Sequence, residues 1–126
     1  MFVLDSSGSI GSNNFVKIKT FVKDVINAFD IGFDKTRVGV VQYSTDVSRP
    51  FDLNDYGNKA DMLAAVDRIS YTAGGTNTHL ALDMMTNVSF TAPRGARPVN
   101  EVHSLRRWLT NTLEATSMYF SKAHSN

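Results

Sequence analysis

Apolar residues recur every three or four positions in three stretches of the chain, which is the spacing of one face of an α-helix. The first stretch runs from Asn13 to about Phe29, the second from Lys59 to Ile69, and the third from the end of the loop 72–78 to about Val88. Their apolar positions, in chain order, are Phe15, Ile18, Phe21, Val22, Val25, Ile26 and Phe29; Met62, Leu63, Val66 and Ile69; and Leu80, Leu82, Met84 and Met85. We therefore predict three amphipathic helices, and we expect Asn13 or Asn14 to cap the first of them.

Three shorter stretches have the composition of β-strands. Residues 2–5 form an apolar run that ends at Asp5, and residues 36–44 are β-branched and nearly all apolar, as in a strand that is covered on both faces. Residues 47–53 contain Pro50, which lacks a backbone donor and so confines this strand to the edge of a sheet. The order strand, helix, strand, edge strand, helix, loop, helix predicts an α/β fold.

Composition narrows the class of protein further. The chain has 126 residues, 42% of them hydrophobic, which suits one globular domain. Its 13 Lys and Arg nearly balance its 12 Asp and Glu, so bulk electrostatics do not favour binding to nucleic acid or to a membrane surface. No run approaches the roughly 18 apolar residues of a membrane span, and residues 1–4 are too short to be the core of a signal peptide. Without cysteine, disulfides and thiol chemistry are absent.

Oxygen-bearing side chains follow the first predicted strand. Asp5, Ser7 and Ser9 alternate in a loop rich in Gly and Ser, at the carboxyl end of a strand, where α/β sheets bind ligands. One carboxylate with two hydroxyls suits Mg²⁺, which keeps water and takes oxygen ligands. Thr76 is the candidate for a fourth oxygen, because the two glycines before it permit a close backbone approach. The competing interpretation is that these serines and this threonine only form turns.

Four segments resemble the von Willebrand factor type A (VWA) domain family, over about residues 2–98. "FVLDSSGSIG" contains the D-x-S-x-S signature of the family's metal site, and "AFDIGFDKTRVGVVQYSTD" and "GGTNTHLAL" are similar to its second strand and its threonine loop. "GARP" is similar to the sequence before the family's central strand. The likeness is greatest to the domains of matrilins and fibril-associated collagens.

The resemblance implies a Rossmann-like, doubly wound fold with the sheet order 3-2-1-4-5-6. It also implies a metal-ion-dependent adhesion site, in which Ser7, Ser9 and Thr76 bind Mg²⁺ directly and Asp5 acts partly through water. An acidic side chain from a matrix protein such as a collagen would complete the octahedron. The implied role is that of an extracellular-matrix adhesion module, which binds rather than catalyses.

The resemblance ends after Pro98. The family continues with an apolar strand and a T-D-G-like motif whose aspartate completes the metal shell, whereas residues 99–126 contain no aspartate. We therefore expect a truncated VWA domain over 1–98 and a divergent tail over 99–126. For the tail we predict one amphipathic helix with Ser104 as its cap. Its face consists of residues at roughly helical spacing: Leu105, Trp108, Leu109, Thr112, Leu113 and Phe120. A missing fourth strand would expose the edge of the first strand, and a missing aspartate would weaken Mg²⁺ binding. The alternative function is a non-adhesive or poorly folded product without a working metal site.

Other chemistries find little support in the sequence. "DSSGSIG" is not the G-x-S-x-G of a serine hydrolase, and the phosphate-binding glycine motifs are absent. His103 and His124 lack partners at zinc spacing, and His79 is expected to have no functional role. Asn87-Val88-Ser89 is a glycosylation sequon. Four arginines form a basic cluster that we expect to be solvated: Arg94, Arg97, Arg106 and Arg107.

Overall fold

The computed structural model describes residues 1–98, which form a three-stranded sheet with helices packed against both of its faces. The elements, in chain order, are β1 (Phe2–Asp5), α1 (Ser12–Ala28), β2 (Val40–Tyr43), β3 (Val47–Phe51), α2 (Lys59–Asp67) and α3 (Thr78–Met84), followed by a π-helical turn (Met85–Ser89) and a 3-10 turn (Ala92–Arg94). The tail helix and everything predicted for His103, Arg106, Arg107, Trp108 and His124 lie outside the described residues. The domain boundary after Pro98 also stays a prediction.

β1 pairs in parallel with β2, and β2 pairs in antiparallel with β3, which gives the order β1-β2-β3. This confirms the predicted α/β class, and Pro50 lies in an edge strand as expected. Within residues 1–98, no strand pairs with the other side of β1. The Phe2 N–H donates to the carbonyl of Gly39, just before β2, and the Ser6 N–H donates to the carbonyl of Tyr43 in β2. Because successive strand residues alternate in direction, the backbone groups of Val3 and Asp5 face that open side.

β2 is shorter than the predicted strand 36–44, because the residues before it form a local turn. The Thr36 N–H donates to the carbonyl of Asp30 at 3.1 Å, and the Gly32 N–H donates to the carbonyl of Thr36 at 3.2 Å. These bonds use backbone groups that a longer strand would offer to its neighbours. The regular pairing of β2 therefore begins only at Val40.

Two apolar clusters cover the two faces of the sheet. On one face α1 and α2 pack against β1 and β2, with a core that includes Phe2, Leu4, Phe15, Ile18, Val22, Ile26, Val40, Met62 and Val66. On the other face α3 covers a smaller cluster of Met1, Val41, Tyr43, Leu53 and Ala81. Each fully buried aliphatic side chain contributes about 1.5–3 kcal/mol of transfer free energy. The sheet is thereby held between two layers, and the carboxyl ends of β1 and β2 open at the same edge.

The ends of all three helices differ from the predictions. α2 ends at Asp67 rather than Ile69, and α3 ends at Met84, where the π-helical turn begins. The proposal that Asn13 or Asn14 caps α1 is wrong, because both lie inside the helix and the side-chain amide of Asn14 donates back to the carbonyl of Ile10 at 2.9 Å. α1 begins after Gly11, which takes a φ of 80°. Such a φ is open to glycine at little cost, and it turns the chain from the β1 loop into the helix.

Candidate metal site

The serine loop, residues 5–9, begins where β1 ends. Asp5 is only 5% exposed and Ser7 is fully buried. The Ser7 N–H donates to Asp5 Oδ1 at 2.7 Å, which fixes the carboxylate within the loop. The Ser7 and Ser9 hydroxyl oxygens lie 3.2 Å apart. Two of the predicted ligand atoms therefore converge on one point, and the carboxylate is held next to them.

The threonine loop, residues 70–77, meets the serine loop through backbone. The Gly8 N–H donates to the carbonyl of Gly74 at 2.9 Å. A Cβ on Gly8 would lie 3.3 Å from that carbonyl oxygen. Gly74 itself has a φ of 96°, and a Cβ there would lie 2.8 Å from the Thr45 hydroxyl oxygen. The two loops thus approach each other through a glycine on each side, Gly8 and Gly74.

Thr76 lies in the threonine loop between two anchored residues. The Gly75 N–H donates to the Thr45 hydroxyl at 2.8 Å, and the Asn77 N–H donates to the Ser44 carbonyl at 2.9 Å. The Asn77 side chain adds a bond to the Thr45 carbonyl at 2.8 Å. The turn between β2 and β3 therefore fixes the backbone on both sides of Thr76. Thr76 itself is exposed.

A buried polar network beneath the two loops was missed in the sequence. Gln42, in β2, donates from its side-chain amide to the Ser6 hydroxyl at 3.0 Å and to the Ser70 carbonyl at 2.6 Å. The Ser6 hydroxyl also accepts from the Thr72 N–H at 2.9 Å, and the Tyr71 hydroxyl donates to the Ser7 carbonyl at 2.9 Å. The available signal was that Gln42 is a polar residue inside the apolar run "VGVVQY".

Tyr43 joins the site from β2, where it is the register partner of Asp5. Its hydroxyl lies 3.4 Å from the Thr78 hydroxyl. Burial raises the pKa of Tyr43 and is the largest effect, while the hydrogen bond with Thr78 lowers this pKa. The nearby Asp5 raises it further, through its charge and through a hydrogen bond. The net effect is a raised pKa, so the fold disfavours the phenolate form of Tyr43.

The side chains predicted as ligands at this edge offer the kind of donor that hard cations take. These donors are oxygens alone: one carboxylate, two adjacent serine hydroxyls and a threonine on the neighbouring loop. Over residues 1–98, no three His, Cys, Asp or Glu side chains come together as a metal cluster. Low ligand charge and oxygen donors suit Mg²⁺, which retains several waters, better than a tight Ca²⁺ site.

Four other predicted residues make no described contact with the proposed ligands. His79 is exposed in the first turn of α3, and Asn87 is exposed in the π-helical turn. Arg94 and Arg97, which were expected to be solvated, are partly buried as residues, while the Arg94 side chain remains 43% exposed. Arg94 lies 3.4 Å from the buried Asp52 carboxylate, and Arg97 donates to the Phe33 and Lys35 carbonyls. These arginines stabilise loops at the amino-terminal end of the sheet.

Comparison with known proteins identifies relatives of this fold. The family model for the von Willebrand factor type A domain matches residues 1–105. Mouse matrilin-2 is 38% identical over 101 residues, which are 80% of this chain and 11% of matrilin-2. The mouse collagen alpha-4(VI) chain is 46% identical over 87 residues, 69% of this chain and 4% of the collagen chain. The transmembrane cell adhesion receptor mua-3 of Caenorhabditis elegans is 40% identical over 99 residues, 78% of this chain and 3% of the receptor. The chain thus spans only a small part of these relatives.

Solved structures give the same result. Proximal thread matrix protein 1 from the mussel byssus matches with a TM-score of 0.72 and 26% identity, over 78% of this chain and 26% of that protein. A structure of the same mussel protein with a zinc-occupied MIDAS motif, the metal-ion-dependent adhesion site, matches with a TM-score of 0.71 and 25% identity, over 78% of this chain and 27% of that one. No helix within residues 1–98 is both long and apolar enough to cross a membrane.

Proposed function

Because the chain belongs to the von Willebrand factor type A domain family, we propose that it is an extracellular-matrix adhesion module that binds other proteins through a metal ion. The observation that carries the proposal is the convergence of the Ser7 and Ser9 hydroxyls, 3.2 Å apart, beside the buried carboxylate of Asp5. The bond between Gly8 and Gly74 supports the addition of Thr76 from the second loop.

Each residue has a distinct role in this proposal. Ser7, Ser9 and Thr76 offer hydroxyl lone pairs to the ion, and Asp5 supplies the one negative charge, partly through water. The Ser7 N–H keeps the Asp5 carboxylate in place at 2.7 Å. If these residues held Mg²⁺, the ion would supply a positive charge to which the carboxylate of a partner's acidic side chain would bind. No bond is made or broken in the protein, so the proposed outcome is binding rather than catalysis.

The relatives suggest the setting and the kind of partner. Matrilin-2 and the collagen chains are extracellular-matrix proteins by name, and we infer the same location for this chain. We propose matrix proteins such as collagens as partners, each contributing a carboxylate to the metal. A formal net charge of +1 gives no electrostatic reason to invoke nucleic acid or membrane lipids.

A second candidate is a non-adhesive VWA product whose metal site does not work. Two observations favour it. Asp5 is the single carboxylate among the proposed ligands, and β1 has an open side within the described residues. This candidate predicts a folded or partly folded chain that binds neither Mg²⁺ nor collagen.

The experiment that separates these candidates is collagen binding with and without the metal. The purified chain is passed over immobilised fibrillar collagen in Mg²⁺ and then in EDTA. The proposal expects saturable binding that EDTA abolishes and that Ser7→Ala or Thr76→Ala weakens about tenfold or more. Thr20→Ala is the matched control, because Thr20 is exposed on α1 and its hydroxyl, among the described residues, donates to the local Val16 carbonyl. Binding that is equal in EDTA would contradict a metal-bridged contact.

We also propose that Asn87 is an acceptor of N-linked glycan when the chain passes through the secretory pathway. Asn87 is exposed in the π-helical turn, whereas Ser89 of the same sequon is fully buried. Because the folded chain hides Ser89, the modification would precede folding of this turn.

A further inference from the structure

Gln42 is a buried amide in the central strand of the sheet. It is 6% exposed, and the strand that carries it is paired on both sides, with Leu4 and Ser48 as its register partners. The base of the side chain therefore has little freedom to move. A buried amide in such a position costs stability unless its donors are satisfied.

The two donors of this amide reach two different loops. One N–H points to the hydroxyl of Ser6 in the serine loop and the other to the carbonyl of Ser70 at the start of the threonine loop, at 3.0 and 2.6 Å. A backbone carbonyl only accepts, so the amide nitrogen must face Ser70. Gln42 is thus a bridge between segments that lie 64 residues apart in the chain.

Further bonds continue from this bridge toward the metal edge. The Thr72 N–H donates to the Ser6 hydroxyl, and the Tyr71 hydroxyl donates to the Ser7 carbonyl, both at 2.9 Å. The Gly8 N–H then donates to the Gly74 carbonyl, also at 2.9 Å. Hydrogen bonds therefore join the serine loop to the threonine loop at several points. The first of them start at the side chain of Gln42, which belongs to the sheet.

From this arrangement we infer that Gln42 is a positioning residue, which sets the distance between the serine loop and Thr76 and thereby the affinity of the site for Mg²⁺. The part of this inference that concerns Mg²⁺ affinity rests on the proposed function. Residues that orient metal ligands through hydrogen bonds typically change metal affinity 10- to 100-fold when they are replaced. Ser6 has the same positioning role, since its hydroxyl accepts the hydrogen bond by which the Gln42 amide contacts the serine loop.

The test replaces Gln42 with Met, which keeps the length of the side chain and removes both donors. We expect the Mg²⁺ dissociation constant of Gln42→Met to rise about 10- to 100-fold. The control is Val66→Ala, because Val66 is fully buried on α2, so its truncation lowers stability but removes none of the hydrogen bonds that Gln42 makes to Ser6 and Ser70. If Val66→Ala weakens Mg²⁺ binding as much as Gln42→Met does, the effect is one of general stability and the inference is wrong.

A double-mutant cycle shows whether Gln42 acts through Thr76. Thr76→Ala is expected to weaken Mg²⁺ binding about tenfold in the wild-type chain but only about twofold in Gln42→Met, because coupled residues are not additive. Equal effects in the two backgrounds would mean that Gln42 does not position Thr76.

A measurement without metal separates this inference from the proposed function. Amide hydrogen exchange at Gly8 reports the bond to Gly74 directly, and we expect it to be about tenfold faster in Gln42→Met than in Val66→Ala. If the wild-type chain shows no Mg²⁺ titration, the proposed function fails, and a faster Gly8 exchange would still support Gln42 as the link between the loops. Unchanged Gly8 exchange in Gln42→Met would overturn the link itself.

Discussion

Replacing Gly74 with Ala tests the close approach of the two loops. Gly74 has a φ of 96°, which an L side chain adopts at a cost of about 1–2 kcal/mol. The added Cβ would also lie 2.8 Å from the Thr45 hydroxyl oxygen. Moving that hydroxyl away breaks its bond with the Gly75 N–H, which is a further loss of about 0.5–1.5 kcal/mol. We therefore expect Gly74→Ala to lower the free energy of unfolding by about 2–3 kcal/mol.

Urea denaturation measures this loss, and the neighbouring glycine is the control. Gly75 has no positive φ, and a Cβ there would meet the Thr45 hydroxyl at 3.3 Å, which is tight but short of a clash. Gly75→Ala should therefore change the free energy of unfolding by less than about 1 kcal/mol, with an unchanged m-value. Equal destabilisation by the two substitutions would refute the conformation assigned to the threonine loop.

Three further predictions concern the core, the pH dependence and the sequon. Leu4→Ala should lower the free energy of unfolding by about 2–5 kcal/mol, whereas Leu82→Ala, at a side chain that is 48% exposed, should cost less than about 1 kcal/mol in the same urea assay. In protein that begins at Met1 with a free amine, burial lowers the pKa of that amine from 8.0 to about 5. The unfolded chain then binds more protons between these values, so stability should rise by up to about 4 kcal/mol from pH 5 to pH 8, and acetylation of the amine should remove the rise. In secreted protein from eukaryotic cells, Asn87→Gln should abolish a glycosidase-sensitive mass shift; an unshifted wild-type chain would contradict the acceptor role of Asn87.

The serine loop could be predicted from the sequence because its information is local. Asp5, Ser7 and Ser9 lie within five positions at the end of an apolar run, and a strand end places such residues at one edge of a sheet. The Ser7–Ser9 contact of 3.2 Å agrees with that expectation. The helices were predicted by the same kind of local pattern, since the spacing of their apolar positions is sufficient to define a buried face.

The parts that could not be predicted depend on contacts between distant segments. Gln42 meets Ser6 across 36 residues and Ser70 across 28, and no periodicity in the chain contains that pairing. The predicted asparagine cap of α1 was wrong for a local reason. Gly11, with its positive φ, turns the chain just before the helix begins at Ser12, so both asparagines lie inside α1. The Arg94 side chain is 43% exposed, and its 3.4 Å contact with the buried carboxylate of Asp52 joins residues that lie far apart in the chain.

The most direct test of a metal site at the end of β1 is a Mg²⁺ titration of the chain followed by amide NMR. If the proposed ligands bind the ion, signals of the serine loop and of Thr76 will shift together and saturate, and Ser7→Ala will remove the response. If these signals do not move while the amide spectrum remains well dispersed, the chain folds without a working metal site and the adhesion proposed here is contradicted.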